Sequence, residues 1–368
     1  MRKLLSYFIL LLAALSCEKQ QGEGFYVDRF VNDTCDTVTF VIDQAMTKAY
    51  TGTDMTEISI EQVVYLAFNS KGYLLNKGNS NQSAGLCSLV LPYGEVTVHA
   101  YVNVTPDLFD HVTHISQLDY LEYSYYDSRY YVLDCFPMSG KCEFTMDGTV
   151  SEVKQITVER YHSRLCVTSI ANRLDLSDSG TGNGLIVLGT PMYLKGVFLT
   201  NLQGSVYLEN ESNTGLWYSK FGRPDRNPTN ESRITDAQDL NTGKHSYEGF
   251  DGILANNNSL NLSSNPIKLY AFPNHTEYDD FGWSEVFTER QTRIVLAAEI
   301  KGVVYYYPVN LVNMQRNTTY DVNFVITRLG SLDPDTFIFV DEGDLDNDHD
   351  VTIDFGGFDD GGDITITF

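Results

Sequence analysis

Residues 303–334 read VVYYYPVNLVNMQRNTTYDVNFVITRLGSLDP, and this stretch decides the fold class. Residues 303–309 are a run of β-branched and aromatic side chains, the types that fit a pleated, half-buried surface. Residues 320–327 set Tyr320, Val322, Phe324 and Ile326 against Asp321, Asn323, Val325 and Thr327, the period of a strand. Pro308 stands late in the first run, where its missing N–H is tolerable at an edge or a strand end. Gln315-Arg316-Asn317 supplies a polar turn between the runs, and Gly330-Ser331 with Asp333-Pro334 stops the second. Periodicity alone makes this an ordinary hairpin of an all-β domain.

Strands are expected on both sides of it. Residues 38–43 alternate Val38, Phe40 and Ile42 with Thr39, Val41 and Asp43, which gives a first strand. Residues 58–69 and 73–75 flank the turn Ser70-Lys71-Gly72, and 76–85 read as a polar loop. Residues 86–104 predict a hairpin turning at Pro92-Tyr93-Gly94, with Val96, Val98, Ala100 and Val102 on one face of the return strand. Residues 107–126 have apolar side chains at mixed spacing and are the expected helical piece. Residues 153–172 read as an amphipathic strand with Ile156, Val158, Leu165 and Val167 turned inward. Residues 209–261 are rich in Asn, Ser, Thr and Gly and predict a long surface segment. With 24 Tyr and 20 Phe and few long helical patterns, the chain is placed in the all-β class with minor helix.

The amino-terminal residues address the compartment. Arg2 and Lys3 precede an apolar run and then Ala14-Leu15-Ser16-Cys17, the order of a signal peptide. The run is about 12 residues, short of the roughly 20 that a spanning helix needs. A Cys directly after a small residue at the cleavage point has the form of a lipobox, so Cys17 is the expected lipidation site, with acyl chains as the link to the outer membrane. Residues 18–35 are polar and read as a tether. A formal net charge of −24 argues against nucleic acid as a partner, because phosphate binding needs a basic face. It suits instead a protein that stays soluble at an exposed surface. Of six cysteines, Cys35, Cys87, Cys135, Cys142 and Cys166 remain besides Cys17, an odd number that leaves at least one without an internal partner. Cys135 and Cys142 bracket Pro137-Met138-Ser139-Gly140, a turn that could bring them together.

Catalytic and metal motifs are missing. There is no nucleophile elbow, no H-E-x-x-H and no phosphate loop. His99, His111, His114 and His162 are scattered; His111 and His114 lie near Asp107 and Asp110 but read as surface histidines. In the acidic run 341–350, Asp344, Asp346 and Asp348 keep the spacing of the first ligands of an EF-hand. His349 takes the place of the required Gly and Phe355 that of the closing Glu, so the run reads as a solvated linker. The expectation is a protein that is not an enzyme and needs no cofactor or metal.

The ordered set Tyr306-Tyr307-Pro308-Val309, Arg316-Asn317, Tyr320, Ile326-Thr327, Gly330-Ser331 and Asp333-Pro334 resembles the carboxyl-terminal domain of the fimbrillins, the type V pilins of Gram-negative anaerobes. Residues 91–103, the Pro137-Met138-Ser139-Gly140 segment with Glu159, Arg160 and Arg164 after it, and 196–201 are also similar to that family. The resemblance implies two tandem transthyretin-like β-sandwich domains, 36–152 and 153–368, behind a lipoprotein signal peptide, 1–17. It implies a fimbrial subunit that polymerises when a protease removes the first strand and a neighbour's strand fills the groove. The matching cleavage position is Lys48, before Ala49, where family members commonly carry Arg. The candidate donor residues are Val351, Ile353 and Phe355, and Ile364, Ile366 and Phe368, which alternate on one face behind the acidic run. Such a strand can complete its own sheet or join another molecule's edge, and the resemblance favours the second. The expected partners are other copies or other subunits of the fimbria. Two rivals remain: an anchor or tip subunit of the same fibre, and a surface glycan-binding lipoprotein using Trp217, Tyr218 and Trp283.

Overall fold

The computed structural model describes residues 34–44, 59–81, 84–124, 136–148, 153–174, 190–214, 217–218, 234–235, 246–250, 252–276, 291–311, 314–332 and 363–367. These residues form two compact units. The first holds β1 (Cys35–Gln44), β2 (Val63–Asn69), β3 (Leu74–Ser80), β4 (Cys87–Pro92), β5 (Gly94–Val102), β6 (Glu122–Ser124), β7 (Met138–Met146) and β8 (Val153–Arg160). The second opens with β9 (Ser163–Asn172), β10 (Met192–Thr200) and β11 (Leu202–Gln203). The chain then returns to the first unit for residues 205–212, which include β12 (Ser205–Tyr207). The second unit continues through β13 (Trp217–Tyr218), β14 (Ile234–Thr235), β15 (Ser246–Tyr247), β16 (Ile253–Leu254), β17 (Ser259–Asn261), β18 (Ile267–Ala271), β19 (Thr292–Ile300), β20 (Val303–Leu311), β21 (Thr319–Ile326) and β22 (Asp363–Thr367).

In the first unit the strand order is β3-β2-β5-β7-β8-β1-β4. β7 pairs with β5 along its whole length but with β8 only at Met138–Arg160 and Ser139–Glu159. Beyond that corner the strands part into two layers. Val38, Phe40, Leu89, Leu91, Ile156 and Val158 on one side meet Tyr65, Ala67, Val96, Val98, Ala100 and Met138 on the other in one core. Gly140 marks the crossing: a Cβ there would lie 2.0 Å from the Thr157 carbonyl oxygen. β2 is apolar without alternation because both of its faces are covered. Val64, Leu66 and Phe68 are as fully buried as Val63, Tyr65 and Ala67.

Several local expectations change. β4 and β5 meet at Tyr93 but do not pair; β4 joins β1, and β5 joins β2 and β7, so residues 86–104 form a corner between layers and not a hairpin. The expected polar loop 76–85 is strand as far as Ser80, because β2 offers it a full antiparallel edge. The expected helical piece contains only two short 3-10 helices, Pro106–Phe109 and Ile115–Tyr120. Residues 153–172 are two strands; β8 pairs with β1 and β7 in the first unit, and β9 belongs to the second. Met138-Ser139-Gly140 is the start of β7 and not a turn, and Cys142 on that strand is a free thiol packed against the first core. Cys135 lies outside the described residues.

The second unit places β20 and β21 in different sheets, which corrects the hairpin reading of 303–327. β20 pairs with β19 in the order β15-β10-β19-β20. β21 runs parallel to β9 in the order β17-β9-β21-β22. The connector crosses between them through Asn317, whose φ of 55° is the left-handed conformation that Asn tolerates. After β21 the chain comes back to β20, where Tyr306 and Ser331 exchange backbone hydrogen bonds of 2.8 and 2.9 Å. Buried residues fill both sheets, among them Leu165, Val167, Val322 and Phe324 on one and Leu199, Ile294, Leu296 and Tyr307 on the other.

Two outcomes follow. Gly140→Val destabilises the chain by about 3 kcal/mol, since the backbone of β8 cannot yield to a side chain, whereas exposed Lys141→Ala stays within about 0.5 kcal/mol; urea unfolding curves check both. Burial raises the Cys142 thiol to about 11. Only the thiolate is nucleophilic. Its alkylation by iodoacetamide is therefore slow at pH 8 and rises about tenfold per pH unit toward pH 11, read by peptide mass mapping of the folded protein.

Candidate strand-exchange site

β1 contributes more than a surface strand to the first unit. It runs antiparallel to β4, with Cys35 opposite Pro92 and Phe40 opposite Cys87. It runs parallel to β8, with Thr39 opposite Val153 and Gln44 opposite Val158. The alternation read from the sequence is what the register uses: Val38 and Phe40 are fully buried and Ile42 nearly so. Phe40 packs against Tyr65 and Phe144, with ring centroids 5.7 and 6.0 Å away. Burial of Val, Phe and Ile side chains contributes roughly 1.5–3 kcal/mol each, and these three hold β1 against the core. Thr39 Oγ and Ser88 Oγ, 2.8 Å apart, add a polar contact across β1 and β4.

Gly85 packs against Ile42 near the carboxyl-terminal end of β1. Its φ is +62°, and a Cβ there would fall 2.6 Å from Ile42 Cγ1 and 2.8 Å from Val63 Cγ2. The Tyr65 hydroxyl donates to the Gly85 carbonyl, and the Ile42 amide donates to Ala84 at 3.1 Å. Gly85 and Gly140 are thus places where backbone replaces side chain around β1 and β8. Gly140, read from the sequence as part of a turn, lies inside β7, where a lone Gly marks the close approach of another strand.

A second set of polar groups lies on the other side of β5. The Tyr101 hydroxyl donates to Glu209 Oε1 at 2.6 Å, and His99 Nδ1 lies 3.2 Å from the same oxygen. Burial, and then the Glu209 charge, hold the Tyr101 hydroxyl well above the ordinary tyrosine range, so it remains a donor. Leu208 is fully buried; its amide donates to Leu121 at 2.9 Å and its carbonyl accepts from the Tyr161 hydroxyl at 3.2 Å. β12 pairs with β6, Ser205 to Ser124 and Tyr207 to Glu122. The start of the segment expected as surface loop is therefore part of the first unit. No local sequence signal gives this, because Tyr101 and Glu209 are 108 residues apart.

The residues singled out in the sequence fall in several places. Cys17, Lys48, Ala49, Val351, Ile353, Phe355 and Phe368 lie outside the described residues, as do the acidic run and Trp283. Ile364 and Ile366 belong to β22, which pairs in parallel with β21, opposite Val322 and Phe324. Trp217 and Tyr218 form β13, paired with β11. His114 uses both ring nitrogens locally: Nε2 donates to the Lys71 carbonyl at 3.1 Å and Nδ1 accepts from the Ser116 amide at 3.2 Å. Among the described residues no group of three or more His, Cys, Asp or Glu side chains could hold a metal ion.

No family model matches the sequence, and no curated protein matches it. Solved structures do match the fold. A candidate cell adhesion protein from Parabacteroides distasonis has a TM-score of 0.54 at 12% identity, covering 81% of this chain and 94% of that one. One from Bacteroides eggerthii has a TM-score of 0.53 at 13% identity, covering 84% and 93%. A fimbrilin from Porphyromonas gingivalis has a TM-score of 0.52 at 13% identity, covering 81% and 92%. The chain is all-β, built from β-sandwich layers, and its fold is that of the fimbrillins.

Proposed function

We propose that this chain is a structural subunit of a cell-surface fimbria. It is exported as a lipoprotein acylated at Cys17, reaches the outer membrane, and is assembled by strand exchange to support adhesion. The observation that carries the reading is β1, a whole strand lying between β4 and β8 and filling the core with Val38, Phe40 and Ile42. Residues 45–58, which include Lys48, join it to the rest of its unit. A cut after Lys48 makes β1 a separate piece. Its departure leaves two strand edges unpaired and an apolar slot open, a template for another chain.

A replacement strand must be extended, pair on both edges and place apolar side chains at every second position. Residues 351–355 (VTIDF) and 364–368 (ITITF) have the same alternation as 38–42 (VTFVI). Val351, Ile353 and Phe355, or Ile364, Ile366 and Phe368, would stand where Val38, Phe40 and Ile42 stand. The similarity in fold to a fimbrilin and to candidate adhesion proteins supports the same reading.

An anchor or tip role is favoured by two other observations. β22 is paired within its own chain, on β21. Lys48 also departs from the Arg that the fimbrillin resemblance leads one to expect. A subunit that keeps both terminal strands at home would end a fibre and not extend it.

Trypsin treatment of the mature protein, with Lys48→Ala alongside, separates these roles. A shaft subunit is nicked between Lys48 and Ala49, loses the 17–48 fragment and forms polymers visible by electron microscopy, while Lys48→Ala stays monomeric. Wild-type protein that remains monomeric after this nick contradicts the shaft role and leaves the anchor or tip role.

A further inference from the structure

Once β1 has gone, β8 keeps the packing of Ile156 and Val158 but loses the strand that pairs along its length. β8 pairs with β1 from Val153 to Val158, and its other edge meets β7 only at Glu159 and Arg160. The fixed end of β8 is Tyr161, which is fully buried. Its amide donates to the Pro137 carbonyl at 3.1 Å, and its hydroxyl donates to the Leu208 carbonyl at 3.2 Å. Leu208 is in turn tied to Leu121, and Glu209 next to it accepts from Tyr101 of β5 and faces His99. A carboxylate only accepts, so both neighbours are donors and the tautomer with its proton on Nδ1 fits the site. The Ser205 hydroxyl, four residues earlier, donates to Glu122 Oε1. Residues 205–212 therefore connect the end of β8 to β5 and β6 by bonds that do not involve β1.

We propose that residues 205–212 are a brace that holds β8 in register when β1 is absent, so that the cut subunit presents an open slot and does not collapse. Tyr161, Leu208 and Glu209 are its positioning residues: none belongs to the core cluster that holds Val38, Phe40 and Ile42, and each acts through β8 or β5. The inference rests on the proposed removal of β1. It explains why a segment from the second half of the chain is built into the first unit. In the intact protein β1 already fixes β8 along its length, so the brace matters little there. Its contribution is concentrated in the open state.

The test uses the mature chain with a single-site protease sequence in place of residues 50–55. After cleavage the β1 fragment is stripped in urea, the remainder is returned to buffer, and a labelled peptide of residues 34–44 is titrated in. Stripped wild-type protein and stripped Glu211→Ala, an exposed position on the same segment, bind the peptide alike. The double variant Tyr161→Phe with Glu209→Gln keeps its cooperative melt when uncut but, once stripped, binds the peptide at least roughly tenfold more weakly, the factor of one charge-assisted hydrogen bond. Should the uncut double variant fail to fold, Tyr161→Phe alone, which lacks only the hydroxyl reaching Leu208, is titrated in its place. Variant and wild type binding equally well overturns the brace and leaves strand removal standing. Stripped wild type that binds no peptide overturns strand removal itself, and the brace with it.

Discussion

The first unit depends on one strand having two kinds of neighbour. β1 is antiparallel to β4 and parallel to β8, and β4 has no other strand partner in its sheet. With β7 and β8 meeting only at a corner, β1 is what makes one layer out of β4 and β8 and lays that layer over β2, β5 and β7. Antiparallel neighbours can be joined by a tight turn, but a parallel neighbour cannot. β1 therefore comes from far away in sequence, and a strand placed in that way can be exchanged without rethreading the rest of the fold.

Much of this was legible in the residues. Alternation at Val38, Phe40 and Ile42, and at Val96, Val98, Ala100 and Val102, gave both the strands and their inner faces, because a period of two is a local property. The run 303–309 and the alternation at 320–327 were strands as read. Pairing was less legible. Residues 86–104 and 303–327 each look like a hairpin, yet in both cases the strands enter different layers, since register and partner are decided by long-range packing that a short window does not contain. Residues 76–80 looked like loop because Asn, Lys and Gly are poor strand formers, and the edge of β2 overrode that preference.

The polar network around Glu209 was illegible for a different reason. A carboxylate in an Asn-rich, Ser-rich stretch reads as solvated, and only the fold brings Tyr101, His99 and Tyr161 toward residues 208–209. Buried polar groups need partners, but a single sequence does not say which. The same limit applies to Gly140, which reads from the sequence as part of a turn: only the fold puts it in a strand and brings Thr157 against it.

In the proposed assembly, β1 must come out before subunits join. Thr39 and Ser88 face each other across β1 and β4 with their hydroxyl oxygens 2.8 Å apart, close enough for a disulfide after replacement of both by cysteine. The most direct measurement is assembly, by light scattering and electron microscopy, of the Thr39→Cys, Ser88→Cys chain cut between β1 and β2, oxidised and reduced, with cut wild type under the same two conditions. If removal of β1 is required, the oxidised variant stays monomeric, reduction restores polymers, and wild type polymerises in both conditions. Equal assembly of the locked and unlocked variant would contradict it.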